Sequence, residues 1–367
     1  MADPRVETVA KILVDYSAKV RPNQLVRISG GSEGAPLILA VYQKVLECGA
    51  HPFLEVEPEG AEELLYTYAS DAQLDYIPPF TKDIIEQIDA AIGIWTDVNT
   101  KQLTSADPAK QSRRSVARRP ISDRFLERAA KGELHWTGTL YPTQAFAQDA
   151  EMSLREFEDF VYKGCLVHEP DPIKAWKKIS KGQQRVVDWL NKARQIHVVG
   201  PDTDLKLEVT GRTWINCDGH ENFPDGEIFT GPIEQSVNGH IRYTYPACVY
   251  GREVEDVRLK FKDGKVIKAT AVKNEEFLLK MLETDKGARY VGEFSFGTNS
   301  GIQRFTKNIL FDEKIGGTIH LALGKGYPES GSKNKSAIHW DMVCDLRQGG
   351  EVRVDGTLFL KDGKILI

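Results

Sequence analysis

A chain of 367 residues is long enough for two domains, or one large one, with ample sequence to bury a core. With 41% hydrophobic and 28% charged residues it has the composition of an ordinary soluble enzyme, not of a disordered or fibrous chain. A net charge of −5 gives no reason to expect nucleic acid as an obligatory partner, and no run approaches the ~18 apolar residues of a membrane span. Five scattered cysteines, Cys48, Cys165, Cys217, Cys248 and Cys344, form no CxxC pair and read as reduced thiols. The amino-terminal MADPRVETVA is charged and lacks the apolar core of a signal peptide, so a cytoplasmic location is expected.

In chain order, Val6, Val9, Ala10, Leu13 and Tyr16 recur at helical spacing and predict an amphipathic first helix. Leu25–Ile28 predicts a strand, Gly30–Gly34 a glycine loop, Ala35–Cys48 a helix and Pro52–Val56 a second strand, together a βαβ unit. The loop lacks the Gly-Lys-Ser/Thr of a phosphate-binding loop, which favours a plain tight turn over a nucleotide site. Ala90–Trp95 predicts a third strand. Between Lys110 and Arg119 five residues in ten are basic, which reads as a solvated loop or helix face. The functional alternative is a positive rim for a peptide's carboxylate, or a dimer contact. Helical patterns follow over Ser153–Tyr162 and Pro172–Ala193, the second carrying Trp176, Ile179, Val186, Trp189 and Leu190.

From about residue 196 the texture changes to short alternating segments. Asp263-Gly264 and Asp362-Gly363, each flanked by alternating apolar residues, predict hairpin turns. One helix is expected around Asn274–Glu283. The fold class is therefore an α/β layer domain over residues 1–185, followed by a β-rich α+β domain over 186–367.

The second half carries the chemistry. In Ala337-Ile338-His339-Trp340-Asp341-Met342-Val343, strand periodicity puts His339 and Asp341 on one face and Trp340 on the other. His320 lies in a similar apolar run, Thr318–Leu323. Glu227, after Pro224-Asp225-Gly226, and Glu293, alone among apolar and small residues in Val291–Gly297, are carboxylates that need a cationic partner if buried. Three carboxylates and two imidazoles make a borderline donor set that Zn, Co and Mn all tolerate. Five ligands exceed one tetrahedral zinc, whereas two ions sharing a carboxylate would use them all. Each residue also has a plainer reading. His339 and Asp341 could be a buried hydrogen-bonded pair, Glu227 could be turn chemistry, and Tyr327 before Pro328 could be packing. His51, His135, His168, His197, His220 and His240 lack acidic company in a matching frame and read as structural. No Gly-x-Ser-x-Gly elbow and no HExxH helix is present.

The segments PDGEIFTGP, GEFSFG, FDEK, IHLALGKGYP and SAIHWDM resemble, in order and approximate spacing, the signature segments of the aminopeptidase T/PepS-type metallopeptidases. The match is specific in the C-terminal half and compatible in the N-terminal half. The resemblance implies a dinuclear metalloaminopeptidase, usually a dimer, with an α/β domain ahead of a β-rich catalytic domain. It implies Glu227, Glu293, His320, His339 and Asp341 as metal ligands, with Glu293 the bridge. It further implies Tyr327 as an active-site tyrosine and Glu313 as an active-site glutamate. The expected function is removal of N-terminal residues from small peptides with a free N-terminus, through a metal-activated bridging water held by two divalent ions (Zn, Co or Mn). The expected setting is a cytoplasmic homodimer with neither nucleic-acid nor membrane partners. Two alternatives stay open: another dinuclear hydrolase such as a phosphoesterase, or a metal-stabilised binding protein without activity. Lys325, Lys333 and Lys335 are the basic residues near the site segments that a phosphoesterase could use.

Overall fold

The computed structural model describes residues 3–249 and 251–367, leaving Met1, Ala2 and Tyr250 outside the described residues. The chain forms two compact units. One runs through Ile173 and regains Gly219–Pro224; the other comprises Lys174–Asp218 and Asp225–Ile367.

The first unit is built on a parallel sheet in the order His51–Glu57, Leu25–Gly31, Ala90–Trp95, His135–Leu140, with the short strand Asn222–Phe223 at the end. Val26 and Ile28 are fully buried, and the helix Ala35–Glu47 buries Leu37, Ile38, Ala40, Val41 and Val45 at helical spacing. The glycine loop serves close approach. Gly31 N donates to Thr96 Oγ1 at 2.9 Å, and a Cβ on Gly31 would lie 2.3 Å from that oxygen. The basic stretch lies in the helix Pro108–Ala130. Three of its five cations are engaged: Lys110 Nζ reaches the Tyr66 carbonyl, Arg113 pairs with Asp71 and Asp75, and Arg114 donates to the carbonyls of Leu74 and Tyr76.

The second unit is β-rich, as the change of texture predicts. An eight-stranded sheet contains the hairpin Arg258–Lys262/Lys265–Thr270. Asp263 and Gly264 both have positive φ, 49° and 80°, which is why Asp-Gly signals this turn. Asp355-Gly356 forms a further turn of the same sign pattern, with φ of 48° and 83°, that the sequence reading passed over. A five-stranded antiparallel sheet runs His339–Asp345, Thr318–Gly324, Val291–Gly297, Glu227–Thr230, Ile215–Cys217.

Period-two alternation divides this smaller sheet into two faces. Ile228, Phe294, Phe296, Ile319, Leu321, Leu323, Trp340, Met342 and Cys344 point into the unit's hydrophobic core. Their neighbours, Glu227, Glu293, Ser295, His320, His339 and Asp341, share the other face. The helix Pro172–Leu190 supports this sheet through Gln183, a nearly buried amide amid the apolar stripe Trp176, Val187 and Leu190. Its Nε2 lies within 3.1 Å of Asn216 Oδ1 and of the carbonyls of Cys217 and Glu227, and its Oε1 accepts from Thr298 Oγ1. Removing this amide leaves buried carbonyls without a donor, so Gln183→Leu is expected to lower stability by about 1–3 kcal/mol. The midpoint of urea unfolding reads this directly; an unchanged midpoint would mean the carbonyls find other donors.

Candidate metal centre

Four strands deliver the sequence-predicted ligands to one place. His320 Nε2 lies 3.2 Å from Glu227 Oε2 and 3.3 Å from Glu293 Oε1. His339 Nε2 lies 3.6 Å from Glu293 Oε2 and 3.4 Å from Asp341 Oδ2. The register explains the convergence. His320 pairs with Ser295, Ala322 faces both Glu293 and Asp341, Glu227 pairs with Gly297, and His339 pairs with Gly324. Each long polar side chain is thus opposite a small residue, which leaves room for the polar ends to meet. A register shift between Val291 and Glu293, a local bulge, adjusts where Glu293 points.

The donors are suited to a cation. Among the described residues, Glu227–Glu293–His320, Glu293–His339–Asp341, Glu313–His320–Asp341 and Cys217–Asp225–Glu227 each offer three ligand atoms within 4.8 Å of one another. Glu227 and Glu293 are about 95% buried, and Asp341 Oδ1 and His320 Nδ1 are buried without a hydrogen-bond partner. A buried carboxylate oxygen without a donor is costly unless a cation meets it. Electrostatics point the same way. Burial opposes the imidazolium of His339, yet Asp341 and then Glu293 outweigh it and push its pKa up to about 10. Burial likewise opposes a charged His320, but Glu227 and Glu293 raise its pKa well above the usual value. Burial raises Glu293, as do the neighbouring charges of Asp341 and Glu227. A cluster that draws protons onto both histidines is one that attracts positive charge. The residues fit divalent ions.

Orientation is fixed from outside the cluster. His339 Nδ1 lies 2.7 Å from the Lys325 carbonyl, which can only accept, so Nδ1 carries the hydrogen and Nε2 faces the carboxylates. Ser295 Oγ is 3.1 Å from Glu227 Oε2 and 3.2 Å from the Ile228 carbonyl. Tyr327 stands at the rim, 40% exposed, its ring edge-on to His339 at 5.1 Å and 5.4 Å from Phe229. Glu313 lies against the cluster beside His320 and Asp341, and burial raises its pKa to about 8.

Lys314 was missed in the sequence. Fully buried, it donates to Glu227 Oε1 at 2.7 Å, bonds Glu313, and lies 3.6 Å from Asp225 Oδ1. Its one signal was position: a lysine in the otherwise apolar Ile309–Ile315 segment beside two acids. Lys333 and Lys335 instead line a cavity of about 820 Å³ with Arg212, Glu234 and Lys286, and none of the cluster's residues line it. The six histidines read as structural are absent from every such group among the described residues. His197, for instance, pairs with Asp204 at 2.8 Å.

Comparison with known proteins now decides the family, because the sequence profile of the thermophilic metalloproteases, M29, matches residues 2–365. The chain belongs to the M29 metallopeptidases. It is therefore a metal-dependent hydrolase. Aminopeptidase 2 of Geobacillus stearothermophilus is 27% identical, over 99% of this chain and 95% of its own. Aminopeptidase T of Thermus thermophilus is 25% identical, over 96% and 94%. The solved structure of AmpT from Thermus thermophilus superposes with a TM-score of 0.88 at 22% identity, covering 99% of both chains. The α/β and β-rich architecture is shared with it. A 2,5-dihydroxypyridine dioxygenase of Pseudomonas putida, at 13% identity, reaches 0.59 over 99% and 96%. Likenesses this remote speak for the fold alone, and a fold does not select a reaction. No helix among the described residues is long and apolar enough to cross a membrane.

Ser295 offers a test of how tightly this candidate centre depends on its surroundings. Ser295→Ala is expected to weaken metal binding roughly 10–100-fold, the usual effect of losing a group that orients a ligand. Competition against a chromogenic chelator measures it; unchanged affinity would mean that Lys314 alone orients Glu227.

Proposed function

We propose that the chain is an aminopeptidase that removes N-terminal residues from small peptides at a centre of two divalent ions, with Glu227, Glu293, His320, His339 and Asp341 as ligands. The observation that carries the two-ion reading is Glu293. One of its oxygens faces His320 and the other faces His339, so it belongs to two ligand groups at once. Charge supports cation binding: Glu227, Glu293, Asp341 and Asp225 bring four negative charges, which Lys314 alone does not offset.

Ions bound there would supply Lewis acidity, lowering the pKa of a shared water and polarising the peptide carbonyl. The chain's own residues do the rest. Tyr327, its ring edge-on to His339, is the candidate whose hydroxyl donates to the carbonyl oxygen as it gains negative charge, a contribution whose loss typically costs about a hundredfold or more in rate. Glu313 has Oε1 held by Lys314, which leaves Oε2 to take a proton from the attacking water and pass it to the leaving amine. The substrate's free α-amine is recognised by the cluster, which makes the enzyme an exopeptidase. Peptides outrank phosphoesters as substrates because Lys314 is engaged by carboxylates and Lys333 and Lys335 line a cavity without cluster residues, which leaves Lys325, whose carbonyl meets His339, as the one named lysine next to the cluster. The names of the relatives support peptides as well. A cytoplasmic homodimer belongs to the same reading.

The deciding assay follows amino-acid release from a free-amine peptide and its N-acetylated twin, after chelation and after adding back Co, Zn or Mn. Release restored by metal, from the free-amine peptide only, is the expected result. Equal cleavage of the acetylated twin would sink exopeptidase action, and release of phosphate from phosphoesters instead would shift the assignment. Glu293→Gln is expected to abolish activity and weaken both ions together by metal analysis; loss of a single ion would argue against a shared ligand.

A further inference from the structure

We infer that Lys314 is a built-in cation of the centre: its ammonium occupies the carboxylates of a ligand pocket formed by Cys217, Asp225 and Glu227 and keeps divalent ions out of it. This rests on the metal-centre reading above, but not on how many ions bind there.

The pocket is a genuine donor set. Cys217, Asp225 and Glu227 present a sulfur and two carboxylate oxygens within 4.8 Å of one another, a combination that suits Zn or Co. Lys314, with no exposed side-chain surface, puts Nζ 2.7 Å from Glu227 Oε1 and 3.6 Å from Asp225 Oδ1, and its third contact is Glu313. The ammonium donates to two carboxylates, Glu227 and Glu313, and pairs by charge with a third, Asp225, and unlike a bound ion it cannot dissociate.

The backbone holds lysine and pocket to the same clip. Asn299 N donates to the Lys314 carbonyl at 3.0 Å, while Asn299 Nδ2 donates to the Asp225 carbonyl at 2.7 Å. Lys314 N in turn donates to the Phe311 carbonyl at 3.0 Å, closing the turn after the helix Ile309–Asp312. The lysine therefore enters the pocket from a fixed base. Two effects follow. Glu227 gives Oε1 to Lys314 and presents only Oε2 to His320, which makes it a one-oxygen ligand. The thiol of Cys217 shares Asp225 and Glu227 with a charge of the same sign as the ions.

The test strips and reloads the parent and Lys314→Met, a variant of similar length without the charge, using Co(II). Cobalt content and the near-ultraviolet absorption that marks a thiolate–cobalt bond are then measured. The variant is expected to hold one more equivalent of cobalt than the parent and to gain that absorption, with the cysteine proton released to buffer. Lys314→Met/Cys217→Ser is expected to lose it. The parent should show no thiolate–cobalt absorption, and its spectrum should not change with Cys217→Ser. A thiolate band in the parent overturns the inference, as does a folded Lys314→Met with the parent's cobalt content and no band. Should Lys314→Met fail to fold, Lys314→Gln, uncharged but still able to donate to the carboxylates, carries the same test: an added thiolate–cobalt band upholds the inference and its absence overturns it. A parent holding a single cobalt would sink the two-ion reading without touching this one, which is read from the difference between proteins.

Discussion

Buried negative charge on one face of a five-stranded sheet is the constraint on which the second unit depends. Glu227 and Glu293 are almost wholly withdrawn from water, with Asp341 and Glu313 beside them. Carboxylates so placed are strongly destabilising unless cations and donors meet them. In the chain alone that role falls to Lys314, to two histidines raised toward their charged forms, and to Ser295. A divalent ion bound at this cluster, as proposed, would complete what these leave unbalanced. The metal is therefore tied to the fold as well as to the chemistry, since a site built of mutually repelling groups is least stable when empty.

Strand periodicity makes such a site affordable. The same strands that carry the ligands carry Phe294, Phe296, Ile319, Leu321, Leu323, Trp340 and Met342 on the opposite face, all at most 2% exposed. Trp214 stacks on Phe296 with ring centres 5.7 Å apart, and Phe296 in turn meets Phe359. Apolar burial on one side thus anchors the backbone against repulsion on the other, at roughly 25 cal/mol for each Å² removed from water. Because a one-residue slip would exchange the two faces, the register itself is strongly specified. That rigidity is what a catalytic cluster requires, since its geometry must survive the arrival and departure of substrate.

How far this was legible in the sequence follows from the range of each signal. His339 and Asp341 were visible as a pair because both lie on one strand, where alternation fixes their common face. Asp263-Gly264 and Asp362-Gly363 were visible because turn chemistry is local. Glu227 and Glu293 lie 66 residues apart and meet only through sheet pairing, so resemblance, and not spacing, linked them. Gln183 hid in the apolar stripe of its helix, where a polar residue flanked by Trp176, Val187 and Leu190 was the unused clue. The return of Gly219–Pro224 to the first unit has no compositional mark at all. Two residues, Asn222 and Phe223, pair with Gly138 and Thr139, and nothing local announces a parallel pairing across more than eighty residues of chain.

Lys314 shows why the missing pieces matter for chemistry. A reading based on metal-ligand residue types looks for His, Asp, Glu and Cys, and so passes over a cation that the fold supplies itself. Yet its placement decides which oxygen Glu227 offers and how Glu313 is held. The ligands alone would suit many reactions, and the fold is shared with a dioxygenase. What narrows the chemistry is the surrounding shell. A carboxyl beside the cluster, a tyrosine at its open rim and a lysine already committed to carboxylates are what the proposed proton transfer at an uncharged carbonyl, over capture of a phosphate, rests on.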